Sequence, residues 1–313
     1  MSIRATLALL ALATAARADL FLSSFNGNTV FRFTDAGTQI GSGPFVTLAG
    51  NGGLNLPHRP MLFPDGNLYV ASASNDRILR YNGTTGAFLN AFIQPNANGL
   101  GATDLDYPVD MAFGPDGNLY VSSQLNDAIL RFNPNSGAFL GVFASGGSLD
   151  GPSGISITNG SLYAVGRFSN NVIRYDFNTG AVNGSFSLDG LNQPFGVDVG
   201  ADRRLYIADG SNGRVIRVDQ NSGAILNTFI TGLSLPIGVG FGPSGDLFVA
   251  NFSANTVGRF DGATGASKGT FVPASAGVGG PNFFSFSGVP EPTGMLLLAM
   301  GAFVGLRRRK KTT

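Results

Sequence analysis

His58 is the single histidine of a 313-residue chain and stands in the stretch Pro57-His58-Arg59-Pro60. An imidazole moves a proton near neutral pH, so a lone His in a cleft is the first residue to consider as a general base. Asp110, in Tyr107-Pro108-Val109-Asp110, is the second candidate base. Arg59, Tyr107 and Asp198 are candidate ligand contacts. Other chemistries lack their residues. There is no Cys to supply a thiolate, no G-x-S-x-G nucleophile elbow and no phosphate-cradling G-x-x-x-x-G-K. The sequence contains no metal-ligand cluster and no EF-hand spacing, so no cofactor is required. Asp and backbone oxygens at the Pro-Asp-Gly turns leave room for structural calcium.

These residues need elements to hold them, and the elements repeat. A fourteen-residue block occurs six times without a gap: LFLSSFNGNTVFRF from Leu20, LYVASASNDRILRY from Leu68, LYVSSQLNDAILRF from Leu119, LYAVGRFSNNVIRY from Leu162, LYIADGSNGRVIRV from Leu205 and LFVANFSANTVGRF from Leu247. Successive starts lie 48, 51, 43, 43 and 42 residues apart, a period that suits one four-stranded propeller blade per repeat. Within a block, two short β-branched or aromatic runs flank a polar turn such as Ser74-Asn75-Asp76. Ahead of it lies a turn such as FPDGN or GPDGN, where Pro sets φ and Gly permits the left-handed region. Before that turn sits a strand opened by Pro (YPVDMAF, QPFGVDV, LPIGVGF), and after the block an outer strand such as GAFLNAF. The first block has no Pro-led strand before it. A seventh such strand, Gly280-Pro281-Asn282-Phe283-Phe284-Ser285-Phe286, has no block after it. The expectation is an all-β, six-bladed propeller over 19–288 in which strands from the two ends complete one blade. His58 then falls near the start of an innermost strand, facing the central channel where propellers place ligands.

The blocks resemble NHL repeats over roughly residues 20 to 287, with NDRILRY (75–81) and SNGRVIRV (211–218) matching best. The resemblance implies the fold; the same scaffold serves binding modules, lyases and lactonases. Streptogramin lyases of this fold class use a channel His as a base, a role that would fall to His58. A lactonase-type propeller similar to the senescence-marker family binds a divalent cation through a Glu, two Asn and an Asp. The sole Glu here is Glu291, so that ligand set cannot be assembled in the same way. Arg32, Arg80, Arg131, Arg174, Arg217 and Arg259 hold the same position in every block. Because every blade needs the same strand geometry whereas a site breaks symmetry, these are expected to be structural, paired with a loop carbonyl or with an Asp such as Asp176, Asp219 or Asp261.

The ends differ from the middle. Seven of the 20 Lys and Arg lie at the termini, which leaves 13 against 19 Asp and Glu between residues 19 and 292. A body of net charge −6 has no electrostatic footprint for nucleic acid. Residues 1–18 read as a secretory signal peptide: a cation, an apolar stretch from Leu7 to Ala16, then Ala16-Arg17-Ala18 as the cleavage site. At the other end, Val289-Pro290-Glu291-Pro292 precedes a charge-free run from Gly294 to Leu306 and then Arg307, Arg308, Arg309, Lys310 and Lys311. As a helix that run would span roughly 20 Å, short of the ~30 Å hydrocarbon core, with a cationic end of the kind that stays cytoplasmic. Residues 289–313 resemble the PEP-CTERM sorting signal, a Pro-Glu-Pro motif, a short hydrophobic helix and an Arg-rich end. The resemblance implies recognition by a membrane-embedded exosortase-type protease, a membrane-anchored precursor and then a cell-surface or extracellular product. The expected function is a non-enzymatic propeller that binds a ligand or partner, an extracellular polysaccharide or a matrix protein, in the envelope or matrix. The competing expectation is an exported lyase or lactonase working through the channel.

Overall fold

The computed structural model describes residues 18–95, 105–188 and 190–288. The expected signal peptide falls outside them except for Ala18, and the sorting segment, with Pro290, Glu291, Pro292, Arg307, Arg308 and Arg309, lies wholly outside. The described residues form an all-β six-bladed propeller of 23 strands in six sheets. One sheet contains β1 (Leu20–Ser24) and β2 (Thr29–Phe33). Blade 1 holds β3 (Pro57–Leu62), β4 (Asn67–Ser72), β5 (Arg77–Asn82) and β6 (Phe88–Ile93). Blade 2 holds β7 (Pro108–Phe113), β8 (Leu119–Ser123), β9 (Ala128–Phe132) and β10 (Phe139–Ser145). Blade 3 comprises β11 (Pro152–Thr158), β12 (Ser161–Gly166), β13 (Asn171–Asp176) and β14 (Val182–Ser187). Blade 4 comprises β15 (Pro194–Val199), β16 (Arg204–Asp209), β17 (Arg214–Asp219) and β18 (Ile225–Ile230). Blade 5 comprises β19 (Pro236–Phe241), β20 (Leu247–Asn251), β21 (Thr256–Phe260) and β22 (Ser267–Val272). The last strand, β23 (Pro281–Phe286), pairs antiparallel with β1, Leu20 opposite Phe286, so that sheet runs β2-β1-β23. It has three strands rather than four. Two isolated bridges, Val30 with Val46 and Phe33 with Gln39, stand where the other blades have an outer strand.

Burial explains why the blade's second strand reads as a continuous apolar run. β1, β8 and β20 are buried at every residue, because each blade is covered on both faces by its neighbours. Six apolar clusters result, one at each junction between adjacent blades; Met61, Ile78, Met111 and Val121, for example, fill the seam between blades 1 and 2. The outer strands face solvent, and Phe88, Leu89, Ile225 and Leu226 are exposed.

A repeated hydrogen bond sets the pitch between blades. The turn between a blade's second and third strands ends on a left-handed residue: Asn28, Asp76, Asp127, Asn170, Gly213 or Asn255. Asn and Asp tolerate that conformation best among non-glycine residues. The Oδ1 of the five with side chains accepts from the backbone N–H just ahead of the next blade's inner-strand proline. The donors are Leu56 at 2.8 Å, Tyr107 at 2.9 Å, and Gly151, Gln193 and Gly280 at 2.8 Å. Those donors are themselves left-handed, with φ from 49° to 61°. That conformation disfavours a residue with a side chain and persists only where its surroundings hold it. At the sixth junction Gly213 uses its backbone carbonyl instead, accepting from Leu233 N at 2.9 Å.

Asp76→Gly keeps the backbone freedom of the turn and removes the acceptor for Tyr107. The variant should lose about 1–2 kcal/mol of stability, read as a lower urea midpoint at unchanged m-value. An unchanged midpoint would show that this clasp does not hold the blades.

Candidate functional site

The inner strands β3, β7, β11, β15, β19 and β23 line the channel, and each brings its proline and the next residue to the face that carries the clasps. At that second position stand His58, Val109, Ser153, Phe195, Ile237 and Asn282. Val109, Phe195 and Ile237 meet Phe283 in an apolar plug. The three polar members sit in the same layer on β3, β11 and β23, all buried. Around the mouth above them lie Phe25, Tyr107, Phe252 and Arg167, each from a turn or from the residue ahead of a proline.

His58 is 5 % exposed. Its ring lies edge-on to Phe25 and Tyr107, with centroids 5.4 and 5.6 Å away, and tilted against Phe283 at 5.9 Å. Asn282 Nδ2 also faces the Pro57 carbonyl, at 3.5 Å, which fixes the orientation of the amide. It therefore donates to His58 Nδ1 at 3.1 Å, and Nε2 carries the ring proton. Nε2 has no partner among the described residues. Burial, assisted by the charge of Arg167, pushes the His58 pKa down to about 3. At neutral pH the ring is an uncharged N–H donor with no carboxylate behind it, which is not the arrangement of a general base.

Arg59 and Asp110 come together one layer deeper. Arg59 Nε donates to Asp110 Oδ1 at 2.6 Å, and another guanidinium nitrogen donates to the Phe284 carbonyl. Asp110 is wholly buried, and its Oδ1 also accepts from Met111 N at 2.8 Å while Oδ2 accepts from Ile155 N at 3.0 Å. One ion pair thus ties β3, β7, β11 and β23 together, with both carboxylate oxygens occupied. Asp198 is half-buried nearby, within electrostatic reach of Arg59 and Asp110. It accepts from Val199 N and Phe241 N, each at 2.8 Å, and burial raises its pKa. Tyr107 joins His58 at the mouth, where burial raises its hydroxyl pKa. The structure therefore brings His58 to Tyr107 and Arg59 to Asp110, with Asp198 near that pair but bonded to Val199 N and Phe241 N instead. Among the described residues no three metal-ligating side chains converge. Asp65, in a Pro-Asp-Gly turn, accepts from Asn67 and Tyr69.

Arg167 was not among the sequence candidates. It occupies the sixth block position, held elsewhere by Phe25, Ala73, Gln124, Gly210 and Phe252, and that departure from symmetry was its signal. Its guanidinium lies over the Phe195 ring at 4.4 Å and over Phe168 at 5.4 Å, and has no hydrogen bond or ion pair among the described residues. The repeated arginines behave otherwise. Arg32 pairs with Asp19 at 2.7 Å, Arg259 with Asp246 at 2.6 Å and Arg217 with Asp202 at 3.6 Å. Arg174 donates to the carbonyls of Asn183, Gln220 and Asn221. Asp176, Asp219 and Asp261 are not their partners; each accepts backbone N–H groups two and three residues on, closing its own turn. A hollow of about 300 Å³ on the opposite face is lined by Asp116, Tyr120 and Arg131. The same trio recurs as Asp65, Tyr69, Arg80 and as Asp202, Tyr206, Arg217, so the set belongs to the blade design.

No family model matches the sequence, and no curated protein matches it. Solved structures do. A chain of a nidogen/laminin complex aligns at 17% identity with a TM-score of 0.68, over 86% of this chain and 98% of that one. A catalytically inactive virginiamycin B lyase from Staphylococcus aureus, with quinupristin, aligns at 17% identity and a TM-score of 0.60, over 88% and 94%. A streptogramin B lyase aligns at 17% identity and 0.56, over 71% and 70%. At these identities the likeness shows a shared six-bladed β-propeller fold.

The sole histidine makes acid sensitivity traceable. Its folded pKa of about 3 lies below the free value of 6.5, so the fold accepts only the neutral ring. Its stabilising contribution is complete above pH 6.5 and declines as pH falls, by about 1.4 kcal/mol per unit towards pH 3. Urea midpoints of wild type and His58→Gln between pH 7 and 5 should therefore diverge in slope, the variant being flatter. Parallel slopes would refute the buried, neutral assignment.

Proposed function

We propose that this chain is an exported, non-enzymatic six-bladed propeller built of NHL-like repeats, its ring closed by β23 against β1. It binds a ligand or partner at the channel mouth in the envelope or extracellular matrix, after exosortase-type processing of the 289–313 segment. The observation that carries the non-enzymatic part is the state of the channel groups. Asp110 has both oxygens occupied by Arg59 and two backbone N–H groups, and His58 is a buried neutral donor. Neither is set up to take a proton from a substrate. The export part is supported by the signal-like 1–18 and by the Pro-Glu-Pro, apolar, Arg-rich order of the tail.

The second hypothesis is a lyase or lactonase acting through the channel. It is favoured by the likeness to virginiamycin B lyases, one of which is catalytically inactive with a His→Ala change, and by the placement of the one His at this mouth.

Two measurements separate the alternatives. Intact mass of the protein recovered from its native host should lack residues 1–18 and the segment following the Pro-Glu-Pro triplet; a full-length tail would overturn the sorting assignment. Incubation with the host's extracellular polysaccharide should give retention without new products by mass spectrometry. Product formation that disappears in His58→Ala would establish the enzyme instead.

A further inference from the structure

We propose that the channel mouth takes a carboxylate carried on a ring, with Arg167 gripping the carboxylate and the aromatic wall packing the ring. This rests on the mouth being the binding face. Arg167 is the cation beside His58 and Tyr107, and among the described residues it has no hydrogen bond or ion pair. Arg32, Arg59, Arg204, Arg214, Arg217 and Arg259 each have an Asp within ion-pair distance, whereas the Arg167 guanidinium has two aromatic faces and no acceptor. Stacking fixes its plane and leaves N–H donors for an incoming group, and its fork geometry matches the two oxygens of a carboxylate.

The layer beneath adds a second, independent sign. His58 Nε2, Ser153 Oγ and Asn282 Oδ1 are buried polar atoms without partners among the described residues, and their side chains sit at equivalent positions on β3, β11 and β23. A buried polar group left unmet is costly, so three in one layer beneath Arg167 mark a place where something else supplies the bonds. Donors predominate: the guanidinium, the His58 Nε2–H, the Tyr107 hydroxyl and the Ser153 hydroxyl. The missing partner is therefore an acceptor. With a single cation, a monoanion fits better than a phosphate. The wall of Phe25, Tyr107, Phe168 and Phe252 suits a flat body. Two of these rings are seated directly on glycines, since a Cβ at Gly151 would meet the Phe168 ring at 2.3 Å and one at Gly280 would meet Phe252 at 2.8 Å.

A ring-borne carboxylate has two sources, an aryl acid or the uronate unit of an acidic polysaccharide, and calorimetry on the full chain distinguishes them. Titrations would use benzoate against benzamide and glucuronate against glucose. One of the two carboxylates should bind, and its uncharged counterpart should be at least ~10-fold weaker. Arg167→Gln should weaken the carboxylate by a similar factor without moving the thermal midpoint, Phe168→Ala should weaken it through the ring, and Arg174→Gln should change nothing. The carboxylate that binds more tightly names the source. The proposal is overturned if neither carboxylate binds, if the amide or glucose binds as well as the acid, or if Arg167→Gln retains full affinity. Failure here with retention of host polysaccharide intact would leave the binding function standing and remove only this ligand class. Turnover of a bound probe would do the reverse.

Discussion

The ring depends on one hydrogen bond made again at five of its six joints. A side-chain oxygen in a left-handed turn holds the N–H ahead of the next blade's proline, and so sets the height at which each inner strand enters the channel. Proline cannot donate at that point, and the residue before it has a restricted backbone. The neighbouring blade must therefore hold that residue in place from outside. Leu56, Tyr107 and Gln193, each held by a clasp, occupy the left-handed region without being glycine. The clasp and the apolar seam beneath it are what make that conformation tolerable. Because the second residue of each inner strand follows directly, the clasp also fixes the layer in which His58, Ser153 and Asn282 lie.

Symmetry separates structural chemistry from site chemistry. On the face opposite the mouth, Asp, Tyr and Arg recur together, so their charges neutralise one another blade after blade. At the mouth the equivalent positions diverge: alanine, glycine and glutamine in three blades, phenylalanine in two, arginine in one. A ring of equal blades can bind an asymmetric ligand only where such positions differ. The deeper Arg59–Asp110 pair also breaks the pattern, but it joins four inner strands, and removing one partner would leave the other charge buried and unpaired.

The propeller was legible because its signals are local. Period, turn residues and the apolar second strand are each visible within a single block, and every blade repeats them. Partnerships across blades were not visible. Asp176, Asp219 and Asp261 were natural partners for arginines two residues away, yet Arg217 and Arg259 reach Asp202 and Asp246 in the turn ahead of the block, and Arg174 reaches carbonyls of Asn183, Gln220 and Asn221. His58 and Tyr107 were singled out because they depart from the inner-strand pattern. Arg167 departs from the block pattern just as plainly, but its place beside them depends on convergence at the channel axis, which no single block encodes. Ser74-Asn75-Asp76 read as a turn, without revealing that Asp76 reaches Tyr107. Pro290 to Arg309 lie outside the described residues, and the sorting signal stands on the sequence alone.

Gly213 gives the ring a built-in point of weakness. A Cβ there would meet the Leu233 carbonyl oxygen at 2.6 Å, so the position admits no side chain that could reach across as Asn or Asp does elsewhere. The junction of blades 4 and 5 is left with main-chain contact at the turn, its apolar filling and the deeper bond from Phe241 N to Asp198. Among the described residues, side-chain hydrogen bonding between these two inner strands therefore rests on a single carboxylate, that of Asp198.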